Sequence, residues 1–376
     1  MSLEVDIEKT LGTFHLKVAF KVDGEIFVMF GESGAGKTLT LQCVSGIQTP
    51  DRGLIRLDGK TIFRANDTLR KQSLSIHKRR IGYVFQDYAL FPHLTAEENI
   101  GYGAEKFPGL DGRIKTMLER MHLIGLEKRY PDQLSGGQQQ RVAIARALIP
   151  EPQTLLMDEP LASLDGTVRE RLREDIRQLQ AELGLNILYV THSLDDAFSV
   201  GHRFAIFHEG HLEQVGPTEE VFRRPWTPVV ARLMGTQNVF EAHILKVTQE
   251  ALVIDWNGIQ LNALPQLAEI GARVSFFIRP EDVKILYTDR PLIRALQDNV
   301  IKGRIIRKTP KGHMNLVSLR VAGTDSEVDL KLEIRFPHHN YRTMSLKAGS
   351  PISSAVPKEA IHILPGRNTK SSQTIG

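Results

Sequence analysis

LSGGQQQRVAIARALI occupies residues 134–149, a serine and two glycines running straight into apolar residues at helical spacing. A glycine-rich helix start is an anion site, because its unpaired N–H groups and the positive end of the helix dipole face outward. The chain has an earlier start of the same kind at GESGAGKT (31–38). One nucleotide loop needs one phosphate cradle, so the second asks for its own explanation.

The earlier loop has the context its pattern requires. EIFVMF (25–30) is a short apolar run suited to a buried strand, and the helix-like TLTLQCVSGI (38–47) follows the loop. Strand, G-x-x-x-x-G-K-[ST] loop and helix together read as a phosphate-binding loop. Gly31, Gly34 and Gly36 let the backbone wrap phosphates, Lys37 reaches the β- and γ-phosphates, and the Thr38 hydroxyl ligates Mg²⁺. The expected ATP contacts here are Gly31, Glu32, Ser33, Gly34, Ala35, Gly36, Lys37, Thr38 and Thr40. TLLMDEP (154–160) is an apolar run ending in two acids. Asp158 at a buried strand's end suits a Mg²⁺ partner, and Glu159 is placed to accept a proton from the attacking water or to orient it.

On these residues LSGGQ (134–138) resembles the signature of ATP-binding cassette (ABC) ATPases, the motor subunits of membrane transporters. Further segments fall in that family's order. YVFQDYALFPHLTAEENI (83–100) resembles the Q-loop, ASLD (162–165) the D-loop and THSLDDA (191–197) the switch segment. The resemblance implies that Gln86 is a Mg²⁺ and water contact, that Asp165 is the D-loop acid and that His192 senses the γ-phosphate. It implies a catalytic set of Glu159, His192, Gln86 and Lys37, with Thr38, Gln86 and Asp158 at the metal. It also accounts for the second cradle. In this family two chains pair head to tail around two ATP molecules. Ser135, Gly136, Gly137 and Gln138 are thereby assigned to the partner's nucleotide in a homodimer. The family commonly stacks adenine on a tyrosine near the first strand, but EKTLGTFHLKV (8–18) has none. Phe14 is the available aromatic, either as the adenine platform or as a core residue.

The expected architecture is α/β: an ABC-type nucleotide-binding domain over residues 1–235, with a helical subdomain at about 88–150. In DGTVRERLREDIRQLQAELG (165–184), apolar Val168, Leu172, Ile176, Leu179 and Leu183 predict an amphipathic helix. Residues 236–376 alternate short strand-like runs with turns, as in a small OB-like β-barrel. This region has a faint repeat. NVFEAHI (238–244) matches NVIKGRI (299–305), and EDVKIL (281–286) parallels EAIHIL (359–364), suggesting halves at about 236–290 and 291–366. IRPEDVKIL (278–286) resembles the accessory domain of importer cassettes, of the molybdate-binding-like kind. The final GRNTKSSQTIG (366–376) is expected to be disordered.

Length and composition agree with this assignment. The chain has 376 residues, room for two or three domains. Its longest apolar runs, such as IFVMF and FFI, are too short to span a bilayer, and MSLEVDIEK lacks a signal-peptide pattern. Cys43 is the single cysteine, which suits a cytosolic setting. Residues 299–376 hold 13 Lys+Arg against 5 Asp+Glu, within a chain of net charge +4. That basic balance suits either an anion or a plain solvated surface.

The expected function is the ATPase of an importer, peripheral at the cytoplasmic face of the inner membrane. It would recruit separate permease subunits and, indirectly, an extracytoplasmic solute-binding protein. EKTLGTFHLKVAF (8–20) and NVIKGRI look most like molybdate-importer ATPases, while sulfate, ferric ion, polyamine and sugar importers share most motifs. The tail has two readings: an oxyanion site with donors around Asn299–Lys302 and at Ser353 and Ser354, or a spacer between protomers. The alternative from another class is a soluble, non-transport ABC ATPase acting on nucleic acid or the ribosome, but residues 299–376 offer only Phe336 and Tyr341 for base stacking, so no nucleic-acid partner is expected.

Overall fold

A computed structural model describes residues 1–66, 71–104, 107–287, 296–322, 330–341, 344 and 346–365, so GRNTKSSQTIG lies outside the described residues. The chain forms two compact units, Met1–Val221 and Phe222–Gly376.

The first unit begins with β1 (Ser2–Leu11), β2 (Phe14–Asp23), β3 (Ile26–Gly31) and α1 (Lys37–Ser45). Then come β4 (Arg52–Leu57), β5 (Lys60–Ala65), β6 (Gln72–Ser73) and β7 (Ile81–Val84). Three helices follow, α2 (Ala96–Gly101), α3 (Leu110–Arg120) and α4 (Gly136–Leu148). The unit continues with β8 (Thr154–Asp158), α5 (Gly166–Leu183), β9 (Asn186–Thr191), α6 (Leu194–Val200), β10 (Arg203–His208) and β11 (His211–Pro217). A short α7 (Thr218–Arg223) straddles the division.

These strands make one eleven-stranded sheet in the order β6-β5-β4-β1-β2-β11-β10-β3-β9-β8-β7. From β10 to β7 the neighbours run parallel, and β1, β2, β4, β5 and β6 form an antiparallel wing. A parallel sheet is covered on both faces, so its strands are apolar throughout. Every residue of β3, β8 and β9 is buried. In the wing, β2 buries Leu16, Val18 and Val22 and exposes alternate residues between them. The segment from β7 to β8 carries α2, α3 and α4, matching its helical spacing. α5 buries Leu172, Ile176 and Leu179 on the face its periodicity predicts.

The second unit contains α8 (Pro228–Leu233), β12 (Val239–Val247), β13 (Leu252–Trp256), β14 (Ile259–Ala263), β15 (Arg273–Ile278) and β16 (Lys284–Ile285). β17 (Val300–Lys311), β18 (Met314–Val321), β19 (Lys331–Pro337), β20 (Pro351–Ala355) and β21 (Ile361–Ile363) complete it. Its two five-stranded sheets, β14-β13-β12-β15-β21 and β16-β20-β17-β18-β19, share one core that includes Trp256, Phe276, Ile301 and Leu332. Hence the two sheets form an all-β, OB-like core, with α8 beside it in the chain.

The repeat has a structural meaning. Read from the hairpin end, both sheets have the same order, and each is closed by a strand from the other half. EDVKIL supplies β16 and EAIHIL supplies β21, so the repeated segments are the exchanged ones. The paired asparagines interlock in the same way. Asn238 donates to Glu333 O at 2.8 Å and accepts from Glu333 N at 2.7 Å. Asn299 accepts from Asn262 N at 2.6 Å and donates to Asn262 O at 2.9 Å and Val356 O at 3.0 Å. Both side chains are buried. A buried amide needs such partners; each asparagine finds two of them on a strand of the opposite sheet, and Asn299 finds its third just after β20. Ser354 is likewise buried and donates to Ile301 O at 3.1 Å. Asn299 and Ser354, read from the sequence as oxyanion donors, are therefore already engaged in holding strands together.

Candidate active site

Strand register places the chemistry. Phe30 on β3 aligns with Thr191 on β9, and Asp158 on β8 aligns with Val190. Three neighbouring parallel strands therefore deliver the 31–36 loop, His192 and Glu159 to one carboxyl-end edge, where open α/β sheets bind ligands.

Gly36 enters α1 at φ 103°, and a Cβ there would lie 2.7 Å from Leu16 Cδ1 and 3.2 Å from the Phe14 ring. Only glycine fits both the backbone angle and the space. Phe14 is half-buried with its ring edge against this turn, so it packs on the core and flanks the loop. Glu32, Ser33 and Gly34 are exposed on the loop, while Ala35 is buried. Thr40 is fully buried, with its hydroxyl donating to Gly36 O at 2.9 Å. It shapes the loop from behind instead of facing the phosphates as the sequence suggested.

The Lys37 ammonium donates to Gly31 O at 2.8 Å and Glu32 O at 2.7 Å. Burial holds its pKa below the usual lysine value, and the nearby charges of Glu159, Asp158 and Glu32 oppose that shift. Thr38 Oγ1 donates to Asp158 Oδ1 at 3.0 Å, and the Tyr83 hydroxyl donates to Asp158 Oδ2 at 3.3 Å. Asp158 is buried, which raises its pKa despite these two hydrogen bonds and the Lys37 charge. A buried carboxylate beside a hydroxyl suits a hard cation that prefers oxygen ligands. No group of three or more His, Cys, Asp or Glu side chains among the described residues makes an all-protein metal cage. The Thr38 hydroxyl and the Asp158 carboxylate are oxygen donors of the kind Mg²⁺ takes beside phosphate and water.

Glu159 sits at φ 46°, a left-handed conformation that costs a non-glycine residue about 1–3 kcal/mol. Its N–H donates to Val190 O at 3.1 Å, and Glu159 Oε2 lies 3.0 Å from His192 Nδ1. The carboxylate is thus turned off the strand and held beside the switch histidine. Gln86 is exposed just beyond β7. Asp165 caps α5, accepting from Val168 N at 3.0 Å.

The signature residues form the start of α4. Ser135 Oγ accepts from Gln138 N at 3.4 Å, and Gln138 Oε1 accepts from Ser135 N at 2.9 Å. This capping box gives each side chain a job in its own helix. Gly136 is exposed; Gly137 is buried, and a Cβ there would lie 2.5 Å from Val168 Cγ1. No hydrogen bond or ion pair among the described residues joins Ser135–Gln138 to the 31–38 loop.

Tyr83 went unnoticed in the sequence, because a tyrosine in an apolar strand carries no mark of its partner. Arg173 did too: it donates to Asp196 Oδ1 at 2.9 and 2.5 Å, tying α5 to the helix that follows His192.

Known proteins place this geometry. The family model described as ABC transporter matches residues 16–162. The chain is 40% identical over 298 residues to a molybdate/tungstate import ATP-binding protein of Thermococcus kodakarensis, covering 78% of this chain and 84% of that one. It is 38% identical over 268 residues to a spermidine/putrescine import ATP-binding protein of Acidothermus cellulolyticus, covering 70% and 68%. It is 30% identical to a sulfate/thiosulfate import ATP-binding protein of Bacillus cereus, covering 97% and 99%. With these relatives and the Lys37, Thr38–Asp158 and Glu159–His192 cluster in place, the chain belongs to the ABC transporter family as one of its ATPases.

Proposed function

We propose that this chain is the ATP-hydrolysing subunit of an importer for a small oxyanion, with molybdate or tungstate as the solute. The observation that carries the ATPase role is Glu159, strained to φ 46° and paired with His192 beside the Thr38–Asp158 contact. Glu159 takes a proton from the attacking water or orients it, and His192 holds the carboxylate while meeting the γ-phosphate. Lys37 exchanges its loop carbonyls for β- and γ-phosphate oxygens. Thr38 and Asp158, with Gln86, are the residues that would hold Mg²⁺, whose chemistry is to neutralise phosphate charge. Phe14, half-exposed at the loop, is the adenine platform.

The chain works as a head-to-tail homodimer. Ser135 is exposed at the start of α4, and no hydrogen bond or ion pair among the described residues ties Ser135–Gln138 to the 31–38 loop, which supports their service to the partner's ATP. Docking on separate permease subunits at the cytoplasmic face rests on the import ATP-binding relatives. Oxyanion transport rests on the molybdate/tungstate and sulfate/thiosulfate relatives. In the second unit the side-chain donors of Asn299 and Ser354 are already engaged within the fold.

Uptake of labelled molybdate, tungstate, sulfate and spermidine by cells lacking this chain, with and without its return, tests the assignment. Molybdate and tungstate uptake should depend on it. Loss of spermidine uptake alone would move the solute to a polyamine.

A further inference from the structure

The segment just after Gln86 is held in an unusual way. Tyr88 and Ala89 are consecutive non-glycine residues with positive φ, 64° and 45°. Such backbone persists only where the surroundings over-determine it, and it clusters at functional sites. Here the surroundings are identifiable. Arg146, on the α4 helix that begins with the signature, donates to Ala89 O at 2.7 Å and Tyr88 O at 2.8 Å. Its guanidinium also lies 5.5 Å from the centroid of the Phe91 ring. The planar fork of an arginine suits two neighbouring carbonyls; a lysine cannot reproduce it.

The Tyr88 side chain runs the other way. It is buried, and its hydroxyl shares a 2.5 Å hydrogen bond with Ser163 Oγ, between Glu159 and Asp165. A Cβ on Gly136 would lie 3.8 Å from that same hydroxyl and 3.4 Å from Leu164 Cδ2. Tyr88 thus ties the stretch after Gln86 to the 162–165 turn, and its hydroxyl lies beside the signature start at Gly136. None of these contacts reaches the 31–38 loop.

We infer that Tyr88 and Arg146 are positioning residues that lock the signature helix and the 162–165 turn to the segment following Gln86, so that their bonds set turnover without setting ATP affinity. Movement of that segment then moves both the signature and the turn leading from Glu159 to Asp165. The inference rests on the proposed ATPase function.

Steady-state ATP hydrolysis by the full chain tests it, with Tyr88→Phe, Ser163→Ala and the double variant. Loss of one neutral hydrogen bond should lower kcat about three- to tenfold. KM for ATP should stay unchanged, and the thermal midpoint should fall by no more than about 2–4 °C, the cost of one such bond. The double variant should be no slower than the slower single, because both remove the same bond. Ser163→Thr keeps the hydroxyl and should retain the rate. Arg146→Lys should lower kcat in the same sense. Unchanged kcat in Tyr88→Phe, a rise in KM at unchanged kcat, or additive losses in the double variant would each overturn the inference. An unaltered chain that fails to hydrolyse ATP would overturn the proposed function as well. A normal unaltered rate with a normal Tyr88→Phe rate overturns this inference alone.

Discussion

Glu159→Gln separates catalysis from binding. The change keeps the side chain's size and leaves the φ 46° backbone as it is, since glutamine tolerates that angle no worse than glutamate. The Val190 O contact is made by the backbone N–H and survives the substitution. An amide can still meet His192 Nδ1 across the 3.0 Å separation. What disappears is the proton acceptor, and a positioned base contributes about 10²–10⁴ in rate, or roughly 3–5 kcal/mol of barrier. Binding loses little, because Lys37 and the loop backbone are untouched. The Lys37 ammonium keeps its bonds to Gly31 O and Glu32 O and loses only the through-space attraction of the Glu159 charge.

The measurement is phosphate release alongside ATP affinity and size-exclusion chromatography in saturating Mg-ATP. Turnover should fall by that factor, affinity should hold or tighten, and an ATP-dependent dimer should accumulate. Turnover within tenfold of the unaltered chain would refute the role of Glu159. Equal loss of affinity and rate would show that the carboxylate serves the fold of the loop instead.

Three further outcomes are expected. Ser135→Arg should abolish hydrolysis while monomer ATP affinity persists, and mixing it with Lys37→Ala chains should restore at most one working site per heterodimer; collapse of monomer affinity would place the signature in cis. Asn238→Ala and Asn299→Ala should each destabilise the second unit by about 1–3 kcal/mol in denaturant unfolding, because each strands backbone groups on the opposite sheet; losses below about 0.5 kcal/mol, the size of an ordinary surface change, would refute the interlock. His362 stacks on Phe277 and has a pKa pushed below its ordinary value of 6.5, first by burial and then by the Arg279 and Arg224 charges. A folded pKa below the unfolded one means that stability is full above 6.5 and falls as pH drops below it, so His362→Phe should flatten the thermal midpoint between pH 7.5 and 5.5. An unchanged slope would remove His362 as the cause.

What the sequence disclosed and what it withheld follow from the range of the interactions involved. EIFVMF and TLLMD announced buried strands because burial on both faces leaves an unbroken apolar run, and the structure shows their neighbours to be parallel. The 165–184 stretch announced its buried face because a helix repeats every few residues. Loop and signature were equally plain, since their chemistry needs glycines at short, fixed spacing. Tyr83 and Tyr88 stayed silent for the opposite reason. Their partners, Asp158 and Ser163, lie 75 positions away in both cases, and no local pattern marks the pair. Thr40 and Asn299 show the matching error. A sequence lists donors without their partners, so a hydroxyl or amide already engaged in its own fold looks the same as one waiting for a ligand.

The second unit carries that lesson one step further. Its repeat was visible in NVFEAHI, NVIKGRI, EDVKIL and EAIHIL, but a repeat says only that two segments have similar surroundings. It does not say whether those surroundings come from the same half. Here they come from the other one: β21 pairs with β15, β16 pairs with β20, and each asparagine bonds a strand of the opposite sheet. Two self-sufficient halves would leave Asn238 and Asn299 to find partners within their own hairpins. The exchange instead makes each half's last strand the closure of the other, so neither sheet is complete alone. Denaturant unfolding of either asparagine variant should therefore remain a single transition at lower denaturant, with no intermediate in which a single half persists.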